Sequence, residues 1–222
     1  VVATKKEAVV NQLRNGVAYL LKNPNITLVE GKAAFKDAQT VIVGDAEYTA
    51  KNIIIATGSK PASLPIPGAD LPFVLDSTDV LNLKELPESI CVIGGGVIGL
   101  ELASYLHRFG VEVTVLEYAS QILPNYDAEI AKRLKQLMGR QNIKIETDAR
   151  VTVIDEEGFV TYQKGDKTFD VVCDKVLMAV GRKPNTEGVN LEAAGIACGK
   201  KGIEADENMQ TNIPHIYAIG DV

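Results

Sequence analysis

The sequence predicts an α/β fold organised around a parallel sheet, and three neighbouring stretches carry that prediction. The apolar run from Ile90 to Gly94 is typical of a buried parallel strand, and it breaks at glycines. Apolar residues then follow at roughly helical spacing: Leu100, Leu102, Ala103 and Leu106. A second strand covers 111–117. Strand, glycine turn, helix and strand in this order predict a βαβ unit.

The glycine turn has the spacing GxGxxG and consists of Gly94, Gly95, Gly96, Val97, Ile98 and Gly99. Gly94 permits a tight turn, and Gly99 lets the helix pack closely on the sheet. Gly96 has no β-carbon, so a diphosphate can approach the backbone. The first helical turn adds unpaired amides and the positive end of the helix dipole. The turn therefore predicts a phosphate-binding loop.

The second strand ends in Glu117, about 20 residues past the glycines, where dinucleotide folds place a carboxylate for the adenosine ribose. This context predicts NAD(H) binding. The alternative is a glycine-rich turn in an ordinary βαβ unit, with Glu117 as a solvated strand end. NAD(H) is favoured over NADP(H), because Glu117 would repel a 2′-phosphate and 118–122 contain no cation.

Composition and charge restrict the classes of function. An apolar fraction of 46% with 23% charged residues is typical of a globular chain and argues against disorder. The net charge of −6 argues against nucleic acid and anionic membrane surfaces as partners. No apolar run is long enough to span a bilayer. The first residues lack an apolar signal core, so we expect a cytoplasmic or matrix-type location.

The cysteines and histidines predict no metal site and no disulfide framework. Cys91, Cys173 and Cys198 are far apart in sequence and odd in number. Cys91 and Cys173 lie in apolar runs and are expected in the core, whereas Cys198 is expected to be more exposed. His107 is expected at the surface or at a helix end.

The first 76 residues predict a helix followed by short strands. The helix covers 4–22 and ends at Asn23-Pro24-Asn25. An antiparallel meander is predicted from short apolar runs at 26–30, 34–35, 40–43 and 47–50. A buried strand then ends in Ala56-Thr57-Gly58. The segment 60–72 contains four prolines and is predicted to be an irregular connection.

The rest of the chain predicts a helix, a third parallel strand, a meander and two buried strands. The helix covers 127–138, with inward residues Ile130, Leu134, Leu137 and Met138. The predicted strands are 143–146, 151–154, 159–163, 168–172, 174–180 and 211–221. Two of the apolar strands end alike, in a glycine and a proline-bearing loop, which predicts two similarly built dinucleotide domains. We predict an NAD-binding domain at 77–184, flanked by pieces of a second domain at 1–76 and 185–222.

Five motifs resemble those of the flavoprotein disulfide reductases that bind two dinucleotides. They are ATG at 56–58, GGGVIGLE at 94–101, VTVLE at 113–117, GRKPN at 181–185 and TNIPHIYAIGD at 211–221. Within this pyridine nucleotide-disulfide oxidoreductase family, the chain is most similar to dihydrolipoamide dehydrogenases. The resemblance implies electron transfer from dihydrolipoamide through a cysteine pair to FAD and then to NAD. It also implies a homodimer that serves the lipoyl domains of 2-oxoacid dehydrogenase complexes.

The resemblance implies a role for particular residues. The implied NAD contacts are Gly94 to Gly99, Glu101, Glu117, Val151 and Gly181. The implied FAD contacts are Gly31, Thr57, Gly58, Ser59, Arg182 and Asp221. Glu101 would lie at the junction of nicotinamide and flavin, where the family pairs it with a lysine.

Three family features do not occur in this sequence: the first GxGxxG for FAD, the CxxxxC redox pair with its lysine, and the catalytic His-Glu pair. We therefore expect an internal piece that is inactive alone and holds FAD weakly or not at all. The alternatives are a related NADH oxidase or mercuric-reductase-like flavoprotein, and a non-catalytic dinucleotide-binding module.

Overall fold

The computed structural model describes residues 2–222. The helices are α1 (Val2–Leu20), α2 (Ser77–Leu81), α3 (Val97–Arg108) and α4 (Ala128–Arg140), with a 3₁₀ helix at Leu191–Ala194. The first nine strands are β1 (Ala33–Phe35), β2 (Thr40–Val43), β3 (Ala46–Thr49), β4 (Ile53–Ile55), β5 (Ser59–Pro61), β6 (Val74–Leu75), β7 (Ser89–Ile93), β8 (Glu112–Leu116) and β9 (Lys144–Glu146). The others are β10 (Arg150–Ile154), β11 (Phe159–Lys164), β12 (Lys167–Val172), β13 (Lys175–Met178), β14 (Arg182–Pro184), β15 (Cys198–Gly199), β16 (Gly202–Ile203) and β17 (Ile216–Ala218).

The chain divides into two compact units. The central unit is Pro61–Arg182, and the outer unit combines the described residues before and after it. The central unit holds the glycine turn, the strand that ends at Glu117 and the second meander. The predicted domain boundaries at 76/77 and 184/185 stay predictions.

The central unit is built on a five-stranded sheet in the order β6-β13-β7-β8-β9, and all its pairings are parallel. This confirms the predicted α/β class. The side chains of β7 alternate between two cores, as strand geometry requires. Ile90 and Val92 pack towards α3 and α4, whereas Cys91 and Ile93 pack towards the second meander. Both faces of the sheet are therefore covered, which explains its almost continuous apolar sequence.

Helix α4 begins where the sequence predicts but buries a different face. The carboxylate of Asp127 caps it by accepting hydrogen bonds from the amides of Glu129 and Ile130. Ala131 and Met138 are buried and Leu134 packs beside them, but Ile130 is 59% exposed and Leu137 is also exposed. The prediction that Ile130 and Leu137 face inward is wrong. Each precedes a buried residue by one position, which rotates it about 100° around the helix.

The second meander is confirmed as the antiparallel sheet β10-β11-β12. The pairing of β10 with β11 shifts its register between Val151 and Val153, near the start of β10. Val160 and Tyr162 of β11 pack with Cys91 and Ile93 of the parallel sheet. The meander therefore covers the sheet face opposite the helices.

The outer unit contains the first meander, β1-β2-β3, and a parallel pair, β4 with β17. Its core combines residues from both ends of the chain: Phe35, Ile55, Leu191, Ala194, Ile196, Ile203, Ile216 and Ala218. The parallel pairing places Ala218 opposite Ile55. The carboxyl ends of β4 and β17 therefore lie at the same edge.

Two strand predictions in the outer unit differ from the structure. Residues 26–30 form no strand, and Ile26, Leu28 and Val29 are exposed. A short apolar run becomes a strand only where a neighbour pairs with it, and no pairing of this run is present in the described chain. The strand predicted over 211–221 is reduced to β17, because residues 212–215 form a turn. The Thr211 hydroxyl accepts a hydrogen bond from the Ile213 amide in this turn.

Helix α1 confirms the first predicted helix, yet its apolar stripe is not covered. Val9, Leu13, Val17 and Leu20 are all exposed. Ile54 in β4 is 62% exposed as well.

Within residues 2–222, no helix is both long enough and apolar enough to cross a bilayer.

Helix α2 depends on its amino-terminal cap. The Asp76 carboxylate accepts hydrogen bonds from the amides of Thr78 at 2.7 Å and Asp79 at 2.9 Å, and Asp79 accepts one from the Asp76 amide. Asp76→Ala is expected to cost about 1 kcal/mol of unfolding free energy, the typical value of such a cap. Urea denaturation measures it. Glu85→Ala, an exposed acid in the loop after α2, is the control, and an equal loss in both variants would contradict the capping role.

Candidate nucleotide-binding site

The central unit has a cleft of about 750 Å³ at the carboxyl ends of its parallel strands. Ligands of open α/β sheets bind at this edge. Gly94, Glu117 and Val151, which the sequence predicts as NAD contacts, all line the cleft. Ile93, Leu116 and Val180 add apolar walls. The fold thus brings together residues from four separate parts of the sequence.

Two glycines of the turn are required by the protein's own backbone. Gly94 has φ +112°, and a β-carbon there would overlap the carbonyl oxygen of Ala179 in the adjacent chain segment. Its amide donates to the Leu116 carbonyl at 2.8 Å, which ties the turn to β8. A β-carbon on Gly99 would overlap the Gly94 carbonyl oxygen. Gly94 and Gly99 therefore set the close approach of strand, turn and helix.

Gly96 is different, because it faces open space. It caps α3 with φ −78° and ψ −177°, a conformation open to any residue, and an added β-carbon would meet no atom within 4 Å. The next amides belong to the first turn of α3, where an α-helix provides no acceptors for them. Val97 at this end is exposed and Ile98 packs against the helix-side core. The space above Gly96 fits an anionic group on the helix axis.

Glu117 is buried, with 8% exposure, and its carboxylate is held by the backbone. Oε2 accepts the Gly95 amide at 2.5 Å, and Oε1 accepts the Ala119 amide at 2.6 Å. The Gly95 amide therefore already donates to a protein acceptor and is not available to a phosphate. The amides left for a phosphate are those of the first turn of α3, which we call the phosphate cradle. A carboxylate oxygen can accept two hydrogen bonds, so each oxygen of Glu117 can still accept one from a ribose hydroxyl.

Of the remaining implied NAD contacts, Val151, Gly181 and Glu101, only Val151 lines this cleft. Val151 is buried at the start of β10 and forms part of the wall. Gly181 has φ +119° and open space at its β-carbon position, and it directly follows the lining residue Val180. Glu101 is exposed in the second turn of α3. Their contact with a nucleotide stays a prediction.

Most of the implied FAD contacts lie in the outer unit. Ser59 Oγ donates to Asp221 Oδ2 at 3.1 Å, because the ends of β4 and β17 meet at one edge. The Asn185 side chain donates to the Thr57 carbonyl, and its backbone amide donates to the Gly58 carbonyl.

Two further FAD residues show no such clustering. A β-carbon on Gly31 would overlap the Val43 side chain, so packing within the outer unit already requires glycine there. Arg182 begins β14, at the end of the central unit. The roles of Gly31 and Arg182 towards FAD stay predictions.

Sequence reasoning missed part of the cleft wall. The irregular segment Leu64 to Pro67 lines it, and so does Arg150, which lies one position before Val151. The proline-rich composition of the segment indicated a connection, and nothing in it pointed to a ligand. Arg150 brings a positive charge to the wall on which Glu117 lies. Among the described residues there is no cluster of side chains suited to a metal ion.

The parallel sheet, its glycine turn and the acidic strand end define a Rossmann-like α/β protein. The family model described as "Pyridine nucleotide-disulphide oxidoreductase" matches residues 2–222. The chain belongs to this family.

Curated relatives include dihydrolipoyl dehydrogenases. One from Geobacillus stearothermophilus is 42% identical over 98% of this chain and 48% of its own length. One from Bacillus subtilis is 38% identical over 98% of this chain and 49% of its own length. The chain therefore spans about half the length of these relatives.

Solved structures of relatives confirm the fold. The HOCl-induced flavoprotein disulfide reductase RclA from Escherichia coli superposes with a TM-score of 0.89 at 37% identity. The match covers 99% of this chain and 51% of RclA. A pyridine nucleotide and a flavin are thus the cofactors of this kind of protein, in agreement with the expected NAD and FAD.

Proposed function

We propose that this chain is the NAD(H)-binding portion of a dihydrolipoamide dehydrogenase, flanked by parts of its FAD-binding domain. The observation that carries the proposal is the cradle at the start of α3. Open space above Gly96 adjoins helix amides, and the Glu117 carboxylate lies at the end of the neighbouring strand. These residues fit a diphosphate joined to a ribose.

The residues have distinct tasks in this proposal. The amides of Val97 and Ile98 bind the diphosphate, Glu117 accepts the ribose hydroxyls, and the apolar walls hold the adenine. The Gly95–Glu117 hydrogen bond positions the carboxylate beforehand, so little side-chain freedom is lost on binding. When bound, NAD would supply the hydride acceptor. The carboxylate of Glu101 lies one helical turn from Val97 in α3.

The first test is nucleotide binding by Glu117→Ala. Glu117→Ala removes a charged acceptor of two hydroxyl groups and should reduce the binding free energy of NADH by about 1.5–3 kcal/mol. This weakens NADH binding about 10- to 150-fold. Titration calorimetry of the purified chain with NADH measures this change. Wild-type chain is also expected to bind NADH more tightly than NADPH, because the carboxylate repels a 2′-phosphate.

The matched control is Glu112→Ala, at the exposed start of the same strand. Glu112 pairs with Lys144 at 2.7 Å and does not line the cleft. It should leave NADH affinity unchanged. The melting temperature of Glu117→Ala is recorded as well, because the carboxylate also holds two backbone amides. Unchanged NADH affinity in folded Glu117→Ala would overturn the ribose role.

The proposal further states that this chain alone lacks lipoamide-dependent NADH turnover and holds FAD weakly or not at all. Its three cysteines occur at 91, 173 and 198, so none forms a CxxxxC pair. In the whole protein, Ser59 and Asp221 would contact FAD, a homodimer would form, and lipoyl domains of 2-oxoacid dehydrogenase complexes would be the partners. Robust lipoamide reduction by the purified chain would disprove the inactivity.

Two other functions are kept as alternatives. The 37% identity to a flavoprotein disulfide reductase of another name supports a related NADH-dependent flavoprotein, such as an NADH oxidase or a mercuric-reductase relative. A non-catalytic dinucleotide-binding module is the other. Whole protein that consumes NADH with lipoamide supports the first proposal, consumption with oxygen or Hg²⁺ supports the related flavoproteins, and binding without turnover supports the module.

A further inference from the structure

The wall of the nucleotide cleft carries one negative and one positive charge. Among the described residues that line it, Glu117 is the one acid and Arg150 is the one base, and the others are apolar or uncharged. Glu117 is buried, whereas Arg150 is exposed at the start of β10. The sequence directly after Glu117, at 118–122, contains no cation. The fold therefore supplies, from a different strand, the positive charge that the neighbouring sequence lacks.

Backbone hydrogen bonds hold the start of β10 beside the end of β8. The Glu117 amide donates to the Glu146 carbonyl at 2.8 Å, and the Ala149 amide donates to the Glu117 carbonyl at 2.9 Å. Arg150 directly follows Ala149, so its backbone position relative to Glu117 is fixed by these bonds. An arginine side chain is long and carries its charge at the tip. The guanidinium can therefore reach a ligand that is bound at Glu117.

The Arg150 guanidinium has no ion pair or hydrogen bond with any other residue that the structure describes. The nearby cations Lys144 and Lys164 differ from it, because they pair with Glu112 and Glu146. A guanidinium is a planar fork of donors that matches the oxygens of a phosphate. Arg150 is therefore a cation in the cleft wall whose donors are available to a phosphate group.

We propose that Arg150 is a specificity-determining residue that binds the 2′-phosphate of NADPH, so that the chain accepts NADPH as a second and weaker ligand than NADH. This inference rests on the proposed NAD(H)-binding function of the cleft. NADPH differs from NADH by one phosphate on the 2′-oxygen of the adenosine ribose, the sugar whose hydroxyls Glu117 would accept. That phosphate therefore lies beside the carboxylate, on the wall to which Arg150 belongs.

The opposite charges of Glu117 and Arg150 set the expected order of affinities. Glu117 accepts a hydroxyl from NADH but repels the 2′-phosphate of NADPH. Arg150 attracts this phosphate, but solvent screens the attraction because the side chain is exposed. NADH should therefore bind more tightly than NADPH. Loss of the Arg150 charge should weaken NADPH binding relative to NADH by about tenfold, the lower end of the range for a hydrogen bond to a charged group.

The test measures the dissociation constants of NADH and NADPH for the complete chain by titration calorimetry at low ionic strength. The NADPH-to-NADH affinity ratio should fall about tenfold in Arg150→Gln. Arg150→Lys keeps the charge and should restore most of the ratio. The matched control is Lys167→Gln, which removes an exposed and unpaired cation at the start of β12, outside the cleft. It should leave the ratio unchanged.

Glu117→Gln provides a second background, in which the charge that repels the 2′-phosphate is absent. NADPH affinity should rise in this variant, and Arg150→Gln should remove the gain. If NADPH binding by the parent chain is too weak to measure, the result in this background decides.

The outcomes separate this inference from the proposed function. A parent chain that binds neither nucleotide would disprove both. NADH binding with the same NADPH-to-NADH ratio in Arg150→Gln as in the parent would disprove only the role of Arg150. Equal losses of NADH and NADPH affinity would also overturn it, because Arg150 would then contact a part that the two nucleotides share.

Discussion

Gly99→Ala is expected to destabilise the central unit by about 3 kcal/mol. The new β-carbon would overlap the Gly94 carbonyl oxygen and press against the Val92 side chain at 3.3 Å. The carbonyl belongs to the tight turn, and Val92 is fully buried, so neither neighbour moves away easily. Strand and helix must separate, and the better helix propensity of alanine offsets only about 1 kcal/mol.

Urea denaturation followed by circular dichroism measures this loss, with Gly139→Ala as the matched control. Gly139 is also a helical glycine, in α4, but an added β-carbon there meets no atom within 4 Å. That variant should be as stable as the parent chain or more stable by up to about 1 kcal/mol. Equal stability of the two variants would mean that Gly99 is not needed for the close packing of α3 on the sheet.

The sequence predicts the central fold well, because its signals are local and agree with one another. The strand before Gly94, the helix after it and the strand ending at Glu117 all form within one or two residues of the prediction. The strands and the helix differ in the spacing of their apolar residues, and glycines separate the first strand from the helix. Residues 26–30 show the limit of this reasoning. Their apolar pattern suits a strand, but only a partner strand could have made them one.

The candidate site is predictable only in part, because some of it depends on tertiary contacts. The motif spacing identifies Gly94 and Glu117, and both line the cleft. Spacing does not reveal that the Gly95 amide donates to the Glu117 carboxylate, since that bond joins residues 22 positions apart. Spacing also does not reveal that Arg150 lines the cleft, since this depends on where β10 begins in the fold.

Gly96→Ala is expected to abolish most NADH binding while leaving the fold intact. The backbone of Gly96 suits alanine, and the added β-carbon meets no protein atom within 4 Å. The stability should therefore fall by no more than about 1 kcal/mol, the cost of alanine instead of glycine at a helix cap. That empty volume is where the diphosphate would approach the helix amides. Losing charged hydrogen bonds worth about 1.5–3 kcal/mol weakens binding about 10- to 150-fold.

The comparison of Gly96→Ala with Gly99→Ala separates ligand binding from packing within a single motif. Calorimetric titration with NADH and urea denaturation are carried out on both variants, with Gly139→Ala as the common control. If Gly96→Ala loses NADH binding but keeps its stability, the nucleotide occupies the open space beside Gly96. Parent-like NADH affinity in Gly96→Ala would show that the diphosphate does not lie over this turn. Since each variant adds one methyl group, the comparison contrasts the open space beside Gly96 with the packed space beside Gly99.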